Sequence, residues 1–465
     1  MKREHVYPKV LVTTLKTERM NYVLSFINDI QISFKINSFI AIGVSFSKGN
    51  TLTLNMYSEQ ITREILCPCC NGSVHIYDRH EKQLRDMPLD SDCYQTVHVN
   101  YHRYRCLKCG HTFSEKIPFQ YLGTRITERA ARFVKSLLNH GMTIKSVSEI
   151  TGIHWDTIRK IHLEEMQSSI KKSDMLTRQD GYKPRYLAVD EFAIHKGHKY
   201  ATCVLDLERG DVIWVGLGRA MADFRRFFEE IDMEYLSEVK AVAMDMNASY
   251  NNLVTEYMPS AAIVYDRYHM QAQYGKDVLG SVRLAEAKKH QIHAKKIDDI
   301  IAGQTDRNTK KQLRAEAKTE RHLYSKVKGA RWTLLKKNSS LTEEASEELK
   351  EILNKHEDLA VCYAMKEEMI QIYSIKDPEE ALKRWTAWFE AAKSSSIPQL
   401  VKFATQKEKR LPGLVSHALY PINTGKLEGL NNKIKVAKRL AYGYRDDSYF
   451  FTLIRYFTLP SHTFP

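Results

Sequence analysis

YLAVDEF (186–192), VKAVAMDM (239–246) and AAIVYDRY (261–268) decide how this 465-residue chain folds. Each is a short apolar run that closes on an aspartate: Asp190, Asp245 and Asp266. Apolar runs of about four to eight residues between polar neighbours read as buried strands, because a helix needs about ten or more. Between the first two runs lie KYATCVLDLERG (199–210) and DVIWVGLG (211–218), two strands joined by a hairpin turn at Arg209, Gly210 and Asp211. MADFRRFFEEI (221–231) carries the apolar period of a helix.

This order, a three-stranded meander, a helix, a strand and a further strand, makes the chain α/β and matches an RNase H-like core. A carboxylate at a strand end leaves the apolar layer and faces the cleft bordering the sheet. Alone, such an aspartate is usually a turn residue or a helix cap; three on neighbouring strands point to a shared task. Phosphodiester cleavage by two metal ions needs acidic oxygens converging on two Mg²⁺ (or Mn²⁺) about 3.5–4 Å apart. Glu191 follows Asp190 and by strand alternation faces the other side. A third acid has to come from a late helix. Glu428, in NTGKLEGLNN (423–432), begins a helix whose next turns carry Lys433, Lys435, Lys438 and Arg439.

Upstream, CPCC (67–70) and CLKC (106–109) form two knuckles. Zn²⁺ takes four N or S ligands at tetrahedral corners, and two paired-cysteine turns supply them. Cys67, Cys70, Cys106 and Cys109 are the expected ligands of one structural Zn²⁺, with Gly72 and Gly110 suited to the turns. A Cys69/Cys70 exchange stays open, as do His75, His98, His102 and His111 as local alternatives. Cys93, Cys203 and Cys362 are scattered. Arg103, Arg105 and Lys108 flank the second knuckle, to touch phosphates or only to solvate it. TIKSVSEITGIHWDTIRKIH (143–162) then follows helix-turn-helix grammar. Val147 and Ile150 are its first buried face, Gly152 the turn, Ile153 the plug, and Ile158 and Ile161 the anchors of the second helix. Trp155, Thr157, Arg159 and Lys160 are left toward solvent or a major groove. An ordinary helical hairpin has the same grammar.

The net charge is +14, and a surplus of that size favours a polyanionic partner. Residues 271–415 read as helices, and from Ser281 to Asn338 sixteen Lys/Arg face six Asp/Glu. That run is either a solvated helical face or a track along a phosphate backbone. The apolar stretch FIAIGVSF (39–46) is far too short to span a bilayer. A reducing cytoplasm fits, where paired cysteines hold metal more often than they form disulfides. Residues 1–60 show no sustained period, and Met56 would serve as a start.

The paired cysteines followed by a helix-turn-helix, then VDEF, MDM, YDRYH and LEGLNNKIKVAKRLAYGYRD, resemble the ISL-three family of bacterial insertion-sequence transposases, from about Ile65 to Phe457. The resemblance implies a DDE transposase, an RNase H-like core with an all-helical insertion before the final glutamate. It implies Asp190, Asp245 and Glu428 as the Mg²⁺-binding triad, with Asp266 and His269 beside the metals. The domains then run 1–60 (extension), 61–117 (zinc module), 118–180 (helix-turn-helix region), 181–280 and 416–465 (core), and 281–415 (helical insertion). Partners would be double-stranded DNA, as terminal inverted repeats and target, and a second or further copy of the chain, with no membrane and a cytoplasmic, nucleoid-associated location. The rival readings are a DNA-binding regulator with an inactive core and a structure-specific nuclease.

Overall fold

The computed structural model describes residues 39–47, 51–58, 65–89, 93–195, 199–441 and 443–460. The first 38 residues of the expected N-terminal extension lie outside the described residues. Contacts divide the chain into two units, one running to Lys172 and one starting at Ser173.

The first unit begins with a five-stranded sheet: β1 (Phe39–Ser47), β2 (Thr51–Ser58), β3 (Val74–Arg85), β4 (Tyr94–Cys106) and β5 (Thr112–Ser114), in the order β1-β2-β4-β3 with β5 on β4. Leu52, Leu54 and Met56 alternate into its core against Leu84, Val97, Val99 and Phe119. Residues 51–58 are thus a strand of period 2, too short for the pattern to stand out beside the largely apolar 39–46. A chain starting at Met56 would lack β1 and most of β2. The long β3–β4 hairpin accounts for the gap between the two cysteine knuckles.

Three helices follow: α1 (Glu128–Asn139), α2 (Ile144–Thr151) and α3 (Trp155–Gln179). Val147, Ile153, Ile158 and Ile161 are buried with Val134 and Leu138. Ile150 is not: it is 40% exposed, and Thr151 takes the buried place with its hydroxyl donating to the Val147 carbonyl. A two-turn helix buries only a narrow stripe, and the i, i+4 pair 147/151 fills it. Gly152 ends α2 at φ +63°, the left-handed conformation glycine adopts without a Cβ penalty.

The second unit holds β6 (Tyr186–His195), β7 (Lys199–Asp206), β8 (Val212–Leu217), α4 (Met221–Glu230), β9 (Ala241–Met244), α5 (Ala248–Tyr257), β10 (Ala262–Tyr265) and α6 (Arg267–Tyr274). The sheet order is β10-β9-β6-β7-β8; β6, β7 and β8 pair antiparallel, and β9 and β10 run parallel to β6 and to each other. After a π-helical turn (Gly275–Gly280) the chain is helical: α7 (Ser281–Gly303), α8 (Arg307–Gly329), α9 (Arg331–Leu335), α10 (Glu343–Lys355), α11 (Glu357–Ile372), α12 (Pro378–Ser394), α13 (Pro398–Glu408), α14 (Leu411–Val415), α15 (Gly425–Leu440) and α16 (Asp447–Phe457). One sheet face buries Leu187 and Val189 against α4 and α5, through Phe224, Phe227 and Leu253. The other buries Ala188, Phe192 and Ile194 against α15 and α16, through Leu427, Leu430, Ile434 and Phe450. The helices between α6 and α15 pack around Trp385, Trp388, Phe389 and Phe403, a core that Tyr265 of β10 and Met270 and Tyr274 of α6 join. The molecule is therefore mixed α/β and rich in helix. No helix among the described residues is long and apolar enough to cross a membrane.

Candidate active site and metal centre

The strand register levels the aspartates. Ala188 of β6 pairs with Ala243 of β9, and Met244 pairs with Tyr265 of β10. Asp190, Asp245 and Asp266 are therefore level across three adjacent strands: Asp245 and Asp266 directly follow β9 and β10, whereas Asp190 does not close its strand but sits in the middle of β6, which runs on to His195 in its pairing with β7. Asp190 shares the even-numbered face with Phe192 and Ile194, toward α15, where its Oδ2 accepts a hydrogen bond from Asn431 Nδ2 at 2.8 Å. Its Oδ1 accepts from the Glu191 N–H at 2.8 Å. Glu191 takes the opposite face, as strand alternation requires, and receives Asn247 Nδ2 at 3.3 Å. Burial pushes the Asp190 carboxyl above the usual aspartate range, against the Glu191 N–H, His269 and Asn431, which lower it.

Asp245 is exposed; its Oδ1 accepts from the Met246 N–H at 2.6 Å and its Oδ2 lies 3.7 Å from His269 Nδ1. Asp266 is buried and caps α6, its Oδ1 accepting from the Tyr268 N–H at 2.7 Å. The spacing Asp-x-x-His now has a mechanical sense, because an N-cap and the third helical residue share a face, and the cap aims His269 at Asp245. Glu428 is exposed in the first turn of α15, three residues before Asn431 and hence on the same helix face. It has no ion-pair partner among the described residues. The acids are not drawn to a point: among the described residues the only group of three or more ligand atoms within reach of one ion is a set of cysteines.

That set is Cys67, Cys70, Cys106 and Cys109, with all four sulfurs within 4.8 Å of one another. Cys67 and Cys109 are 3.6 Å apart, Cys70 and Cys106 3.5 Å. A disulfide needs about 2.05 Å, whereas Zn–S bonds of about 2.3 Å at a tetrahedral centre put sulfurs about 3.7–3.8 Å apart. The donor set fits zinc. The Cys109 and Lys108 N–H groups donate to Cys106 Sγ, and with the neighbouring thiols they lower its pKa to about 6, despite burial. A Cβ on Gly72 would stand 2.9 Å from Lys108 Cβ and 3.2 Å from Cys106 Sγ, so only glycine lets the first knuckle close on the second. Cys69 is exposed and outside the group, and no histidine joins it.

Comparison with known proteins matches this architecture. A family model for ISL-three DDE transposases, described as "Transposase", covers residues 187–454, from the start of β6 into α16. The transposase of insertion sequence element IS1001 from Bordetella parapertussis is 32% identical over 405 residues, 87% of this chain and 91% of its own length. The chain belongs to this transposase family. The transposase of element IS1557 from Mycobacterium tuberculosis is 26% identical over 302 residues, 64% of this chain and 65% of its own length.

In this transposase the residues of α3 expected to face a groove are disposed unequally. Trp155 is half exposed, Lys160 is exposed beside Glu164 at 3.9 Å, and Thr157 and Arg159 are partly covered. On α15, Lys433, Lys435 and Arg439 are exposed, but Lys438 donates to the Ala193 carbonyl of β6 at 2.8 Å, which ties the helix to the sheet. Sequence reasoning missed Asn431, whose only signal is its i+3 spacing from Glu428. It also missed Lys407, which resembles any solvated helix lysine. Lys407 is buried and donates to Gln273 Oε1 at 2.6 Å. Burial pulls its ammonium below the usual lysine range, while the charges of Asp245 and Asp277 act the other way.

Proposed function

We propose that this protein binds the terminal inverted repeats of its insertion sequence, cleaves the strand there with divalent metal, and transfers the freed 3′-OH to target DNA. The observation that carries the reading is the levelling of Asp190, Asp245 and Asp266 on three adjacent strands, with Glu428 one helical turn from the residue that grips Asp190. The strand order, two parallel strands beside a three-stranded meander with helices on both faces, supports an RNase H-like core over 181–280 and 416–465. The unbroken run of helices from α7 to α14, packed around Trp385, Trp388 and Phe389, supports an insertion over 281–415. The zinc module over 61–117 and helix-turn-helix over 118–180 are the proposed end-binding parts, and 1–60 adds β1 and β2 to the first sheet. Handling two element ends calls for at least two copies of the chain on DNA. The work is that of a cytoplasmic, nucleoid-associated enzyme.

Asp190, Asp245 and Glu428 are the proposed Mg²⁺ (or Mn²⁺) ligands. A divalent ion held there would supply Lewis-acid polarisation of the scissile phosphate and activation of the attacking oxygen. The protein's own part is positioning. Asn431 and the Glu191 N–H fix both Asp190 oxygens while leaving a lone pair on each for a cation. A cation would also relieve the burial that disfavours ionised Asp190. His269 holds Asp245 toward Asp190, and Asp266 orients His269. Glu428, exposed and without an ion-pair partner among the described residues, is free to turn toward Asp190. Lys407 offsets the charge of Asp245 from the insertion side.

Arg159→Ala should reduce preference for element ends over random DNA by about 1–3 kcal/mol if the side chain reads a base edge. Competition gel shifts with both DNAs measure this, and an unchanged ratio assigns recognition elsewhere. Neutralising exposed lysines between Lys288 and Lys337 should weaken binding to both DNAs alike and flatten its salt dependence. An unaltered slope leaves that run as a solvated face.

A further inference from the structure

A cluster of imidazoles in the helical insertion, remote in sequence from the acids, has no part in the chemistry above. His290 of α7 and His356, the residue between α10 and α11, meet with their Nε2 atoms 2.8 Å apart. His356 is 3% exposed. The other nitrogen of each ring is committed. His356 Nδ1 lies 2.6 Å from the Ile352 carbonyl, which only accepts, so that nitrogen carries its hydrogen. His290 Nδ1 lies 2.6 Å from Glu320 Oε2 of α8. Burial raises the Glu320 carboxyl, but His290 and His293 outweigh it and hold it below the usual range, so Glu320 is an ionised acceptor. Both neutral rings would then aim Nε2 lone pairs at each other across 2.8 Å. Two acceptors at that distance repel, and something positive has to lie between them.

We propose that His290 and His356 form a buried two-imidazole site that takes up one proton, shared between the two Nε2 atoms and balanced by Glu320. The distance selects a proton over a metal. Zn–N bonds of about 2.0–2.1 Å at a tetrahedral angle hold two nitrogens about 3.3–3.4 Å apart, whereas 2.8 Å is an N–H···N hydrogen bond. The neighbouring charges do not compete for the role. On α7, Glu286 pairs with Lys289, which also lies 3.9 Å from Asp358 of α11. Lys326 of α8 pairs with Glu351 of α10, and Lys355 lines the cleft beside His356. His293 Nδ1 sits 3.3 Å from the second oxygen of Glu320.

The shared proton clamps α7 to the α10–α11 junction. The clamp exists only while that proton is held between the two rings, so raising pH far enough to remove it should release α7 from the α10–α11 junction. Hydrogen exchange of full-length, zinc-loaded protein at about pH 6 and about pH 9, corrected for intrinsic rates, tests it. Segments 285–295 and 350–360 should open roughly tenfold more at the higher pH. H356Q, whose amide bridges without titrating, should remove that difference. Equal pH dependence in the wild type and H356Q overturns the proposal. H290Q repeats the test should H356Q fold poorly. ¹⁵N spectra of histidine-labelled wild type read the proton directly: two neutral rings at about pH 6 overturn it as well. A second zinc per chain that disappears in H356Q assigns the site to metal instead.

Discussion

Cys106→Ser should lower zinc from about one ion per chain to a small fraction of that and destabilise the knuckles without collapsing the sheet that bears them. In isolated zinc-finger peptides the metal contributes folding free energy on the order of 10 kcal/mol, and the apo peptides are unfolded. Here β2, β3 and β4 have an apolar core of their own in Leu52, Leu54, Leu84, Val97 and Val99. The loss should therefore stay with the segment around Cys67, Val74, Tyr104 and Cys106, whose small cluster closes around the sulfurs. Metal analysis and hydrogen exchange over residues 65–75 and 104–114 check both parts. Cys69→Ser should keep the zinc. If it loses the ion while Cys70→Ser keeps it, the first knuckle uses the other cysteine. Well-folded wild-type protein without zinc ends the assignment.

Asp190, Asp245 and Asp266 were legible because a carboxylate ending an apolar run is a local signal. What local pattern cannot carry is register: that residue 188 lies beside 243, and 244 beside 265, is decided by packing of whole strands. The paired cysteines were legible for the same reason, since each knuckle is written within four residues. Ile150 misled because an apolar residue at i+3 from Val147 looks as buried as one at i+4, and the backbone angle decided for Thr151. Lys407 and His356 were illegible because burial of a polar side chain leaves no trace in its neighbours along the chain. Asn431 and the pair His290/His356 gain meaning only from partners 241 and 66 residues away.

If Asp190, Asp245 and Glu428 hold Mg²⁺ as proposed, Asp190→Asn, Asp245→Asn and Glu428→Gln should each abolish strand cleavage, because a carboxamide keeps the volume and loses the charge. Binding to element ends should survive, since the proposed end-binding segments, the paired cysteines and residues 143–162, lie in the other unit of the chain. Asn431→Ala should cost about 10–100-fold, the usual cost of removing a group that orients a metal ligand. Asp266 separates orientation from ligation. Asparagine caps a helix about as well as aspartate, so Asp266→Asn should keep α6 and His269 in place and retain part of the activity. Asp266→Ala also loses the cap, costs roughly 1 kcal/mol of local stability, and should cut more slowly. Cleavage of a labelled end-containing duplex with Mg²⁺ or Mn²⁺, beside a gel shift on the same DNA, reads all six variants. Complete loss in Asp266→Asn would make that carboxylate a metal ligand. Normal cutting by Glu428→Gln would move the third acid off α15. A wild type that binds ends but nicks under neither metal would leave a DNA-binding regulator.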